Sequence, residues 1–115
     1  MATLSIISAT DVARTRNTVH KLLLAQRCTP NLAARSVAAI NILAESTLRQ
    51  GIGIRLDVCA VLRNERKMVE LICDLDISRK GMPRVDVMQE LLMLVVNDVQ
   101  VRTTETRLNI TIRLW

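Results

Sequence analysis

The sequence predicts an α+β fold: a two-layer sandwich with three helices on one face of a mostly antiparallel sheet. Three observations predict it. Residues 31–51, NLAARSVAAINILAESTLRQG, repeat apolar residues at helical spacing between a start signal and a stop signal. At Gly51 the apolar period changes from helical to two. Two alternating stretches then follow one another across a polar turn, and a second such pair ends the chain. A short strand, two helices, a hairpin, a helix and a hairpin is an order that lays helices on a sheet.

Leu4, Ser5 and Ile6 alternate and predict a short leading strand. Thr10 or Asp11 is the expected N-cap of a first helix that runs to about Arg27. Its apolar face holds Val12, Val19, Leu22, Leu23 and Ala25, with Arg14, Arg16 and Lys21 on the other side. Cys28, Thr29 and Pro30 end it. Asn31 is the expected N-cap of the second helix, because Pro30 cannot extend it backwards. Gly51 stops that helix as the residue best suited to a left-handed C′ position. Its expected packing face is Val37, Ile40, Ala44 and Leu48, with Leu43 beside them.

Ile52, Ile54, Leu56, Val58, Ala60 and Leu62 form one face of the next strand. A four-residue turn over residues 64–67 leads into a strand over residues 68–77, with Val69, Leu71, Cys73 and Leu75 inward. Matching the two apolar faces pairs Leu62 with Val69 and Leu56 with Leu75. That register sets Arg55 opposite Asp76, and Asp57 unfavourably opposite Asp74, on the outer face. It also sends Cys59 and Cys73 to opposite faces, which argues against a disulfide between them. After the connector of residues 78–83, a third helix starts at Arg84 or Val85 and runs to Asn97. Val85, Met88, Leu91, Leu92 and Val95 face inward on it. Residues 99–103 and 108–114 make the final hairpin around a turn at Thr104.

The chain of 115 residues predicts one domain with a real core. Half the residues are hydrophobic and 23% are charged, which excludes a disordered chain. One Trp, no Phe and no Tyr make that core aliphatic, with Met82, Met88 and Met93 counted in it. The net charge of +5 permits nucleic acid or an acidic protein partner. The cations are scattered, and base-stacking platforms are nearly absent, so nucleic acid is the weaker expectation. Cys28, Cys59 and Cys73 show neither a C-x-x-C pair nor metal-ligand spacing, and read as small core residues. No signal peptide and no membrane span is read, and a reducing cytoplasm is the expected location. His20 lies beside Lys21 and reads as a surface residue, with no nucleophile paired to it.

Asn41 and Glu45 stand one helical turn apart in the otherwise aliphatic second helix. With the opening ATDVARTRNTVHKLLLAQRC, the helix that carries this pair, Gly81, Met82 and Pro83 before an apolar helix, and a last hairpin closing on Trp115, the chain resembles the GHKL (Bergerat) ATPase domain. It is most similar to the small bacterial anti-sigma factors and serine kinases of partner-switching modules. The resemblance implies an ATP–magnesium site at Asn41, Glu45, Asp74 and Gly81. The departures imply that this site is vestigial. The family's Glu and Asn are exchanged here. The aspartate box around Asp74 and Asp76 has no glycine and is turned to the outer face. The glycine-rich lid that would hold phosphates is reduced to a short connector with one Gly.

The leading expectation is therefore a non-catalytic, protein-binding regulator of anti-sigma type, a pseudokinase with nucleotide binding lost or weak. Val61 and Ile72 on the outer sheet face are its expected partner-binding residues, for a small antagonist-type protein or a second copy of the chain. The alternatives are an active ATP-dependent serine kinase or anti-sigma factor with divergent boxes, and a basic nucleic-acid-binding module. An apolar, filled space between the second and third helices favours the first reading. An open polar cleft lined there by Asn41 and Glu45 favours a nucleotide.

Overall fold

A computed structural model describes residues 2–115. The elements in order are β1 (Ala2–Ile6), α1 (Ala9–Ala25), α2 (Pro30–Leu48), β2 (Ile54–Arg63), β3 (Arg66–Asp76), α3 (Val85–Leu92), β4 (Asp98–Thr103) and β5 (Arg107–Leu114). The five strands form one sheet in the order β1-β2-β3-β5-β4, and each neighbouring pair is antiparallel. The three helices cover one face of it, so the architecture is a two-layer α+β sandwich. Between the layers lie Ile6, Val19, Leu23, Ile40, Leu43, Leu56, Leu71, Met88, Leu92 and Ile110, all buried in one aliphatic cluster. No helix among the described residues is long and apolar enough to cross a membrane.

Both long helices are capped two to three residues earlier than their sequence signals suggest. Ser8, not Thr10 or Asp11, caps α1. Its Oγ accepts from the Asp11 N–H, while Asp11 Oδ2 accepts from the Ser8 N–H at 3.2 Å and the Ile7 N–H at 2.9 Å. An acidic residue at the third helical position meets two otherwise orphan donors, so the helix starts before it. The same hydrogen bonds, the one from Ile7 first, hold the Asp11 carboxyl below its ordinary pKa. In α2 the cap is Thr29 rather than Asn31, its Oγ1 accepting from Leu32 N–H at 3.1 Å. Pro30 then occupies the first helical turn, where its missing N–H costs nothing.

Gly51 takes the left-handed position as expected, at φ 72°. Gly51 N–H donates to Leu48 C=O and Ile52 N–H to Thr47 C=O, the paired closing bonds of a Schellman end. Ile52 is buried there, so the strand starts at Ile54 rather than at Ile52. The first helix closes in the same way, through Arg27 N–H to Leu24 C=O and Cys28 N–H to Leu23 C=O. Its C′ residue is Arg27 at φ 63°, where an L side chain is strained. Arg27→Gly is expected to raise stability by about 1 kcal/mol, read as a rise of about 4 °C in Tm. A lower Tm would count against this helix ending.

The buried stripes differ in part from the predicted ones. On α1, Val19 and Leu23 are buried as expected, joined by Thr15, while Val12 and Leu22 are half-buried and Ala25 is exposed. On α2, Ile40, Leu43 and Ala44 are buried, but so are Leu32, Ala33, Ser36, Ala39 and Thr47, while Val37 and Leu48 are only half-buried. The stripe is wide because α2 meets α1, α3 and the sheet together. Its two buried hydroxyls stay within the helix, Ser36 Oγ donating to Leu32 C=O at 2.8 Å and Thr47 Oγ1 to Leu43 C=O at 2.9 Å.

The central hairpin is two residues out of the predicted register. Val58 faces Leu71 and Leu56 faces Cys73, so the four-residue turn and the Leu62–Val69 pair are corrected. The turn takes only Asn64 and Glu65, both at positive φ (51° and 65°), which is the backbone of a type I′ hairpin. A shift of two keeps every side chain on its predicted face. It moves Arg55 opposite Asp74 instead of Asp76 and sets Asp57 opposite Ile72, so the expected Asp57–Asp74 clash does not arise. Leu62, expected inward, is exposed because the hairpin end runs past the helices.

The third helix stops at Leu92, five residues before the predicted end. Turns follow through Leu94 N–H to Leu91 C=O and Val95 N–H to Leu92 C=O. So short a helix turns one narrow stripe, Met88 and Leu92, to the core. Leu91 is consequently exposed, and so are Met82 and Met93, which the sequence reading placed in the core. The turns deliver the chain to the outer edge as β4, and β5 folds back between β4 and β3.

Candidate functional site

Asn41 and Glu45 do share a groove, but it lies between α1 and α2. It is a shallow depression of about 300 Å³, lined among others by Val12, Arg16, Ala44, Leu48 and Arg49. Its lining is largely aliphatic, because Ala9, Val12, Ala44 and Leu48 flank the two polar residues. Asn41 is half-buried and Glu45 exposed. Glu45 also borders a second groove of about 290 Å³ on the other side of α2, with Arg49, Arg84, Val87 and Leu91. Asn41 does not reach this one. Beneath it the contact between α2 and α3 is apolar and closed, since Ile40 and Leu43 meet the same buried cluster as Met88 and Leu92.

Asp74 is on the opposite face of the sheet. Its neighbours Cys73 and Leu75 point to the helices and are buried, so alternation turns Asp74 outward. There it sits opposite Arg55 and Asn109 and pairs with Arg107 at 3.4 Å. Gly81 lies in the exposed connector at φ 75°, its N–H donating to Ile77 C=O. No atom lies within 4 Å of where a Cβ would stand, so this glycine serves the turn and not the close approach of a phosphate. The four residues that the ATPase resemblance assigns to nucleotide are thus divided. Asn41 and Glu45 lie above the sheet, Asp74 below it, and Gly81 shares no groove with any of them. They do not fit Mg·ATP as a set.

The other candidate chemistry is equally dispersed. The outer-face carboxylates are each engaged: Asp57 accepts from Thr3 Oγ1 at 2.7 Å, and Asp76 accepts from the Ser78 N–H and hydroxyl. The Ser78 bonds hold Asp76 below its usual pKa. Arg113 bridges Glu70 at 2.9 Å and Asp98 at 3.5 Å. Among the described residues no three His, Cys, Asp or Glu side chains are placed to hold a metal ion. His20 is exposed. Cys28 and Cys73 are buried core thiols, and burial pushes Cys73 up to about 12, far from a reactive thiolate. Cys59 is half-buried on the outer face, opposite in aim to Cys73 as the register predicted but outside the core where it was expected, and all three are free.

Among the described residues no helix covers the outer sheet face. Val61 (38% exposed) and Ile72 (37%), the predicted partner-binding residues, stand on it as semi-exposed apolar side chains. Two features of this region were not read from the sequence. Met68 faces Val61 across the hairpin and lines a cleft with Trp115. Trp115 is 54% exposed and is the only aromatic residue. That singularity was the available signal, but it carried no position. A second set of uncovered apolar side chains is Val87 and Leu91 on α3 and Leu94 in the turns after it, the last 80% exposed.

No protein-family model matches the chain, and no curated protein sequence matches it.

Proposed function

We propose that the protein is a non-catalytic regulator that acts by binding another protein, on a GHKL-ATPase-like fold of the anti-sigma, partner-switching type. The observation that carries this reading is the division of the nucleotide-box residues: Asp74 is turned away from Asn41 and Glu45 by the sheet itself. A kinase needs its phosphate-holding and metal-holding groups converging on one reacting centre. Protein binding is supported by uncovered apolar side chains in two places, Val61 and Ile72 on the sheet with Trp115 just past β5, and Val87 and Leu91 on α3 with Leu94 in the turns after it. The partner is a small regulatory protein, and the three free cysteines are in keeping with action in a reducing cytoplasm.

Thermal denaturation with and without Mg·ATP tests the reading. A ligand at a hundred times its Kd adds about 2.7 kcal/mol, a shift of several degrees for a domain of this size. The expected result is no shift at millimolar Mg·ATP, together with capture of a partner from native extract that ATP neither promotes nor releases. A clear ATP-dependent rise in Tm would overturn it.

A further inference from the structure

A cleft of about 540 Å³ lies at the free end of the β2–β3 hairpin. It is lined by Arg63, Asn64, Arg66, Lys67, Met68 and Trp115. Its floor is apolar and its walls are cationic. Met68 is only 8% exposed although it sits on the uncovered face, and the Trp115 indole lines the cleft with it. Arg63 and Arg66 stand on the same sheet face as Met68, whereas Lys67, opposite Leu62, alternates to the helix side; no acidic side chain is among the lining residues. Neither arginine lies within ion-pair distance of an acidic group among the described residues. Elsewhere on the same sheet face Arg107 and Arg113 are matched to Asp74, Glu70 and Asp98. Arg63 and Arg66 thus form an unmatched cationic pair beside Met68 at the hairpin end.

The hairpin end is also locally unfavourable in two independent ways. Arg63 stands directly opposite Arg66, and like charges in that position repel. Asn64 and Glu65 both take positive φ in a turn whose second position favours glycine. A segment that breaks local rules twice is where a binding role is expected to compensate.

We infer that this cleft docks an acidic segment of a partner protein, with carboxylates on Arg63 and Arg66 and one apolar side chain against Met68 and Trp115. The inference rests on the protein-binding reading above and gives it a place and a chemistry. Guanidinium forks pair with carboxylates through two parallel hydrogen bonds, which suits Arg63 and Arg66. Phosphates would satisfy the same charges. A single indole, in a chain without Tyr or Phe, gives a nucleic-acid strand no series of platforms on which to stack.

Trp115 is the only Trp, so its emission reports on the cleft alone. The probe is a short peptide of Glu and Asp around one Leu, titrated into the full chain. The controls are the same peptide with Gln and Asn, and an oligothymidylate. The acidic peptide is expected to change Trp115 emission saturably. The Gln/Asn peptide, and the Arg63→Gln/Arg66→Gln variant, are each expected to bind at least about tenfold more weakly. The variant's far-UV circular dichroism checks that it folds, and the wild-type comparison of the two peptides decides the matter if it does not. An unchanged emission, equal response to both peptides, undiminished binding by the folded variant, or tighter binding of the oligothymidylate would each overturn the proposal. A partner captured from extract equally by wild type and variant would remove this cleft as the docking surface and leave the regulator reading intact. An ATP-dependent rise in Tm would do the reverse.

Discussion

Leu71→Ala is expected to lower the free energy of unfolding by about 3 kcal/mol. Leu71 lies in β3, the middle strand of the sheet, between Val58 of β2 and Ile112 of β5, and all three side chains are fully buried. Truncation there removes apolar contact and leaves a cavity that its stiff branched neighbours fill poorly. Domains of this kind are stable by about 5–15 kcal/mol, so one such change removes a large share. In urea the midpoint should fall while the m-value stays constant. The next residue provides the control. Ile72 faces outward between Asp57 and Thr111, and Ile72→Ala should cost less than about 1 kcal/mol. Equal costs at both positions would overturn the assignment of faces in β3. The outward aim of Asp74 rests on the same alternation and would fall with it.

Arg35→Ala is expected to cost about 2–3 kcal/mol, because one side chain closes three distant parts of the chain. Its Nε donates to Val95 C=O at 2.8 Å, Nη1 to Trp115 C=O at 3.0 Å, and Nη2 to Asn97 Oδ1 at 2.8 Å. Asn97 Oδ1 also accepts from the Trp115 N–H at 2.9 Å. This ties α2 to the turns after α3 and to the end of β5. Arg35→Lys should recover less than half of the loss, since an ammonium cannot reproduce the planar fork. Trp115 emission should shift to the red in Arg35→Ala as the residue is released to water. Wild-type stability with unchanged emission in that variant would show that the clamp carries no weight. Because Trp115 also floors the proposed docking cleft, the same variant should bind the acidic peptide more weakly than wild type.

Several details of the site and fold followed from short-range pattern. The alternation in residues 54–62 and 69–75 identified the inner face of both strands, and with it the outward aim of Asp74 and the semi-exposure of Val61 and Ile72. It could not choose between registers two residues apart, because both keep the same faces. The choice fell to the turn, and Asn64-Glu65 lacks the glycine that would have marked it. The early end of α3 was hidden because Met93 and Leu94 are apolar and continue a helical pattern while facing solvent. Asn41 and Glu45 were correctly placed on one side of one helix, but which groove they line depends on how α1 packs against α2.

The sequence by itself determined the element types, their order, the two-layer α+β architecture and the aliphatic core, because these rest on neighbours three, four or two residues apart. Only the tertiary structure decided that β5 lies between β3 and β4. It alone joined Arg35 to Val95, Asn97 and Trp115, and brought Trp115 beside Met68 and the cations of the hairpin end. Those contacts link residues far apart in the chain, and they exist only once the strands have paired and the helices have closed over them. Periodicity records which way a side chain points relative to its neighbours along the chain. It does not record which distant segment it will meet.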